Sequence, residues 1–197
     1  MLDSDCFEYR PDFLPERQAD RWLQQLWREL EWRQQEITLF GRRVMQPRLI
    51  AWYGDSHAVY AYSGLTLCPL PWHPVLLEMK ERLEALTGAQ FNSTLANAYR
   101  DGRDSMGWHS DDEKELGPAP LIASVSLGAE RRFLVRSRNR PAGTRAASRG
   151  LPLGHGSLLL MRGDSQRRFQ HSLPRTRRPT GLRINLTYRL VANETPD

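Results

Sequence analysis

Early in the chain, apolar positions recur with helical spacing. In residues 15–32, PERQADRWLQQLWRELEW, they fall at 19, 22, 23, 26, 27 and 30. That is the stripe of an amphipathic helix, with Pro15 where a first turn tolerates proline. Residues 73–88, HPVLLEMKERLEALTG, repeat the pattern, opening with Pro74 and closing with Gly88. Short extended pieces lie between them, among them AVYAYSG at 58–64. From residue 91 the period falls to that of strands: FNSTLANAY, LIASVSL, RRFLVRS, GSLLLMRG, RFQHSLP and LRINLTYRLV, punctuated by Gly, Pro, Asp and Arg. The stretch 136–150, RSRNRPAGTRAASRG, is polar, basic and almost free of large apolar residues, and reads as a mobile loop inside the strand region. The pattern predicts a mainly β protein with N-terminal helices (α+β), the two helices packed on an antiparallel double-sheet jelly-roll core.

Composition narrows the class. A chain of 197 residues, 40% hydrophobic, fits one domain over 1–197 with a substantial core. No apolar run reaches the roughly 18 residues of a membrane span. The start, MLDSDCFEYR, is acidic and lacks the apolar stretch of a signal peptide. Cys6 and Cys68 are the only cysteines, which excludes a disulfide framework and a Cys-based zinc site and points to a reducing cytosol. A cytoplasmic location is expected, or a nuclear one in a eukaryote.

Charge is unevenly placed. Residues 121–197 carry 15 Arg against 4 acids, and residues 1–120 carry 13 basic against 19 acidic residues, which together make the net +5. The basic portion suits a phosphate-binding surface. A compositional bias toward Arg would look the same, since Lys80 and Lys114 are the only lysines.

Against that background, WHSDDEKELG at 108–117 stands out. In extended backbone, His109 and Asp111 lie on one face and could hold a metal together. His171 in RFQHSLP offers a third ligand, with His57, His73 and His155 as competitors. Two His and one carboxylate with open positions suit non-haem Fe(II), and zinc takes such ligands too. The last strand adds a second signal. Alternation in RINLTYR puts Arg183, Asn185, Thr187 and Arg189 on one face, and Ile184, Leu186, Tyr188 and Leu190 on the other. The polar face fits a solvated sheet. It also fits a dicarboxylate site, because Arg binds carboxylate in bidentate fashion. In LANAYRDG, Asn97 and Tyr99 share a face and offer an amide and a phenol, although Tyr99 also suits a core. Fe(II) ligands with an Arg-rich strand face fit 2-oxoglutarate as cosubstrate.

The order NAY…G…HSD…H…RINLTYR, with YSGLTLCPLPW, YRDGRDSMGWHSDDEKELGP, IASVSLGAERRF and LPLGHGSLLLM, resembles the AlkB family of Fe(II)/2-oxoglutarate dioxygenases, most of all its DNA alkylation-repair branch, from about residue 37 to 190. The resemblance implies a double-stranded β-helix core over 91–191, preceded by helices and a nucleotide-recognition lid over 1–90. It implies His109, Asp111 and His171 as iron ligands, and Asn97, Tyr99, Arg183, Thr187 and Arg189 around 2-oxoglutarate. Arg183 would take the far carboxylate, and Arg189 would sit nearer the metal. Tyr62, where the branch often has Phe, would stack on the damaged base. Tyr60 and Glu113 would contact the base or its edge, while a solvated acid is the plain alternative for Glu113.

The implied reaction couples oxidative decarboxylation of 2-oxoglutarate to hydroxylation of an N-methyl group on 1-methyladenine or 3-methylcytosine, releasing succinate, CO₂ and formaldehyde. Asp112 and Glu113 would suit a cationic base, and the Arg-rich segment 131–149 would contact phosphates. In TLFGRR at 38–43, Gly41 permits a tight turn and Phe40 is either a core residue or a wedge entering the base stack. Members of the branch that favour double-stranded DNA carry an aliphatic–Phe–Gly finger here, and Leu39-Phe40-Gly41 matches it. A monomer acting on duplex DNA is the expectation. A related dioxygenase acting on RNA or protein, or a non-catalytic Arg-rich nucleic-acid-binding jelly roll, are the alternatives.

Overall fold

The structure is a computed structural model and describes residues 2–39, 41–58, 60–62, 65–139 and 147–192, without the side chains of 38, 39, 60–62 and 65–67. In chain order the elements are β1 (Phe7–Arg10), α1 (Glu16–Glu29), β2 (Glu36–Leu39), β3 (Arg42–Met45), β4 (Leu49–Gly54), β5 (Tyr60–Tyr62), β6 (Leu65–Leu67) and α2 (Pro74–Thr87). There follow β7 (Ser93–Tyr99), β8 (Met106–His109), a 3-10 turn (Lys114–Leu116), β9 (Ile122–Gly128), β10 (Arg131–Ser137) and β11 (Ser148–Leu153). The last are β12 (Ser157–Met161), α3 (Ser165–Arg168), β13 (Phe169–Leu173) and β14 (Arg183–Arg189).

Both expected helices form. In α1, Ala19, Trp22 and Leu26 are buried, the stripe that the spacing requires. In α2, Pro74 occupies the first turn, the His73 ring accepts a hydrogen bond from the Val75 N–H at 3.2 Å, and Gly88 closes the helix at φ 69°. The left-handed cap explains why a glycine stands there.

Strand alternation then decides how the layers stack. A six-stranded sheet runs β1-β12-β9-β14-β7-β4, and a four-stranded sheet runs β11-β10-β13-β8. Their named pairings are antiparallel. Ala96 and Ala98 of β7, Ala123, Val125 and Leu127 of β9, and Ile184, Leu186 and Tyr188 of β14 form one core with Trp22, Leu26, Leu76, Met79 and Leu83 of the helices. The small alanines let the helices approach the sheet closely, and each large apolar side chain so buried contributes about 1.5–3 kcal/mol. The Tyr188 hydroxyl donates to the Leu76 carbonyl at 2.9 Å, tying β14 to α2. A second cluster, including Ile122, Phe133, Val135, Leu153, Leu159 and Met161, brings the two sheets together.

Two local readings change. Arg136 and Ser137 belong to β10, and Ser148–Gly150 open β11, which pairs with β10 over Arg131↔Leu153 to Arg136↔Ser148. The basic stretch is therefore partly strand, and its residues 140–146 lie outside the described residues. Leu190 follows the end of β14 and is exposed rather than part of the apolar face. The structure also adds β1, which pairs with β12, and the β2–β3 hairpin, in which Leu39 faces Arg42 across a two-residue turn. Gly41 in that turn has φ 75°, a conformation glycine adopts without strain.

Candidate metal centre and cosubstrate cavity

The four-stranded sheet brings the ligands together. His171 of β13 and His109 of β8 are direct cross-strand partners. Their rings meet edge-on with centroids 4.1 Å apart, and Phe133 stacks behind His171 at 5.2 Å. Asp111 follows β8 by two residues, and one donor atom from each of His109, Asp111 and His171 lies within 4.8 Å of the others. The competitors lie outside this group: His73 caps α2 and pairs with Glu29, His155 pairs with Asp20, and His57 is exposed.

Protonation suits a metal. Burial lowers both imidazoles, His171 to about 3, and for His171 the neighbouring His109 adds to the effect. Both rings are therefore neutral near pH 7 and can donate lone pairs. His109 Nδ1 lies 2.9 Å from the Gly107 carbonyl. That contact requires a proton on Nδ1 and leaves Nε2 as the ligand atom. Burial alone would raise Asp111, but Arg189 and the two histidines hold its carboxyl well below the usual range. Arg189 Nη2 pairs with Asp111 Oδ2 at 2.9 Å, while Oδ1 faces His109 Nε2 at 3.8 Å. Two neutral imidazoles and one carboxylate on one side of an open cavity are a donor set that fits Fe(II).

The cavity runs from this triad along the inner face of the large sheet. Asn97 and Tyr99 of β7 and Arg183, Thr187 and Arg189 of β14 all line it. The register explains why, since Arg183 faces Tyr99 and Asn185 faces Asn97. A solvated polar face is thereby excluded, because Arg183 is 1% and Arg189 3% exposed. Arg183 lies at the end remote from the ligands. Its Nη1 donates to the Leu153 carbonyl at 3.2 Å and its Nη2 to the Ser126 hydroxyl at 2.8 Å. Its Nε has no hydrogen-bond partner and no acid pairs with it among the described residues, so burial pulls its pKa to about 10. Thr187 donates to the Asn185 amide oxygen, and Asn185 donates to the Ser124 hydroxyl, which completes a polar floor.

A profile described as "2OG-Fe(II) oxygenase superfamily" matches residues 7–189. The chain belongs to this superfamily. It is 43% identical over 186 residues to the human "Alpha-ketoglutarate-dependent dioxygenase alkB homolog 3", covering 92% of this chain and 64% of that protein. It thus spans less than two thirds of the length of those relatives. It is 42% identical over 180 residues to the human "DNA oxidative demethylase ALKBH2", covering 88% of this chain and 69% of that protein. This places it in the AlkB family of the superfamily. A solved structure described as "The structure of OsALKBH1" superposes with a TM-score of 0.66 at 16% identity, covering 93% of this chain and 97% of that one, and shares the fold.

In this AlkB-family chain, the substrate-side residues are less converged than the cavity. Asp112 is exposed and pairs with Arg138. Glu113 is half-buried and stands at the N-terminal boundary of the 3-10 turn at Lys114–Leu116, without a side-chain capping bond. Tyr60 and Tyr62 fall in β5, with side chains outside the described residues, and Phe40 lies outside them entirely. The expected phosphate contact from the start of segment 131–149 is corrected at Arg131, which is only 4% exposed and donates to backbone carbonyls. Desolvation on folding takes it away from any phosphate.

Two residues near the centre carry no signal in the sequence. Arg48 is buried and donates from Nε to the Asn97 amide oxygen at 2.8 Å. Gln166 is buried in α3 and accepts the Asp111 N–H at 2.9 Å. Only the folded chain brings residues 48 and 166 against the cavity-lining Asn97 and Asp111.

Proposed function

We propose that this chain is an oxidative demethylase of N-alkylated bases in DNA, of the 1-methyladenine and 3-methylcytosine type, dependent on Fe(II), 2-oxoglutarate and O₂. The observation that carries the reading is the polarity of one cavity, with a neutral-His/carboxylate triad at one end and, at the other, a buried arginine that no acid pairs with among the described residues. The name of the human relative "DNA oxidative demethylase ALKBH2" supports DNA as the substrate class. When bound, the iron and its cosubstrate supply the oxidising chemistry, in which 2-oxoglutarate becomes succinate and CO₂ and the N-methyl group is hydroxylated.

The chain's residues divide the remaining work. His109, Asp111 and His171 hold the metal, and Arg189 keeps Asp111 ionised and oriented. Arg183 receives the far carboxylate of 2-oxoglutarate, with Tyr99, Asn97 and Thr187 beside the cosubstrate. Phe133 and Leu153 line the cavity with apolar surface, which lowers the local dielectric and strengthens those polar contacts. A base reaches the centre only out of the stack, at a cost of a few kcal/mol that is smallest for a lesion unable to pair. Tyr60, Tyr62, Asp112 and Glu113 read the base on this proposal, and Phe40 acts as a wedge, two residues before the exposed Arg42 and Arg43 in the sequence. The wedge favours double-stranded DNA, because a single strand has no gap to fill.

Incubation with oligonucleotides carrying 1-methyladenine or 3-methylcytosine, as DNA and as RNA, with Fe(II) and 2-oxoglutarate and products read by mass, tests the proposal. Loss of about 14 Da, one methylene, from the DNA base with stoichiometric succinate is expected. Turnover of the RNA alone would move the substrate to RNA. Absence of succinate with every substrate would point to the non-catalytic alternative.

A further inference from the structure

Arg131 opens β10 and is buried, yet no acid side chain pairs with it among the described residues. Its Nη1 donates to the Asp101 carbonyl at 3.1 Å, and its Nη2 donates to the carbonyls of Asp104 at 2.9 Å and Pro174 at 2.7 Å. The carboxylates of Asp101 and Asp104 are engaged by Arg103 and Arg100. The guanidinium carbon of Arg131 lies 5.9 Å from the centroid of the Tyr99 ring. Tyr99 is also the cross-strand partner of Arg183.

Two buried guanidinium groups thus flank one phenol. Burial lowers the pKa of both, and Arg131 further lowers that of Arg183. A buried cation held only by carbonyls is costly, and two near each other are costlier. Carbonyl contacts satisfy hydrogen bonds, and the nearby Asp104 and Asp101 carboxylates, already engaged by Arg100 and Arg103, compensate the charge only in part, since burial still lowers the Arg131 pKa. An anion entering beside Arg183 and Tyr99 would offset both charges at once. The hydrogen bonds also brace the β7–β8 and β13–β14 loops, so Arg131 is fixed where its charge acts on that end of the cavity.

We propose that Arg131 is a positioning residue for the distal carboxylate of the cosubstrate, supporting Tyr99 and placing a second buried positive charge behind Arg183. This rests on the reading of the cavity as a 2-oxoglutarate site. Arg131 does not touch the ligand. Its contribution is long-range charge, delivered through a low-dielectric interior and selective for a ligand that carries a second carboxylate.

The test uses the full chain loaded with Mn(II), with binding of 2-oxoglutarate and of pyruvate, a 2-oxo acid without the distal carboxylate, measured by calorimetry. Arg131→Met is expected to weaken 2-oxoglutarate on the order of tenfold, the scale of unit charges about 10 Å apart at an effective dielectric of about 20, and to leave pyruvate unchanged. Arg131→Lys keeps the charge and should hold 2-oxoglutarate within about threefold of the parent chain. Should Arg131→Met fail to fold, the lysine variant decides. Equal losses for both acids, or a lowered Tm with unchanged 2-oxoglutarate affinity, would reduce Arg131 to a brace for two loops and overturn the proposal. Failure of the unaltered Mn(II) protein to bind 2-oxoglutarate would instead overturn the reading of the cavity.

Discussion

Gln166→Leu isolates what holds the carboxylate ligand in place. Gln166 is 3% exposed, its Oε1 accepts the Asp111 N–H at 2.9 Å, and its Nε2 turns to the Ser165 hydroxyl at 3.2 Å and the Met161 sulfur at 3.6 Å. It lies in α3, immediately before the strand that carries His171. One amide therefore links the segment of the carboxylate to the strand of the second histidine. Leucine is similar in volume and opens little cavity, so the main loss is the acceptor for a buried N–H, about 1–3 kcal/mol. Partners of metal ligands, when removed, typically cost about 10–100-fold in metal affinity. That range equals about 1.4–2.7 kcal/mol, so the two magnitudes agree. The assay is calorimetric titration of the metal-free chain with Mn(II), alongside its melting temperature without metal. Gln166→Leu is expected to weaken Mn(II) at least about tenfold while the chain still folds cooperatively. An unchanged metal affinity with a lowered Tm would show that Gln166 only fills the core, and would refute the link.

Other perturbations separate the remaining roles. His171→Ala should abolish succinate formation while circular dichroism stays native, because two protein ligands are too few to retain the metal; near-normal turnover would remove His171 from the triad. In the metal-free protein, His171 takes up its proton near pH 3 rather than at its ordinary 6.5. Its stabilising contribution is therefore complete above about pH 6.5 and declines as pH falls toward 3, by about 1.4 kcal/mol per pH unit. In urea titrations the stability of the parent relative to His171→Phe should fall as pH drops through that window, and a constant difference would exclude the effect. Phe40→Ala should slow repair of a methylated duplex far more than of the same lesion in a single strand; equal losses with a lower Tm would make Phe40 a core residue.

Periodicity alone fixed much of this protein. The spacing at 19, 22, 26 and 30 required a helix burying that stripe, and Pro74 and Gly88 bounded the second helix because their backbone preferences act locally. Alternation in RINLTYR determined that Arg183, Asn185, Thr187 and Arg189 share a face, since a strand's side chains have a strict period of two. It could not decide what that face meets. Only closure of the second sheet over the first turned it inward, burying two arginines that a single open sheet would have left in water. The same holds for the ligands. His109 and Asp111 are neighbours by spacing, but choosing His171 from five histidines depends on the β8–β13 register. Arg131 belongs by sequence to a basic stretch and by structure to the interior. Arg48 and Gln166 act at the centre through contacts 49 and 55 residues apart along the chain. Local pattern encodes which residues share a face or bound a helix; long-range pairing, decided by the packing of whole sheets, determines which of them meet.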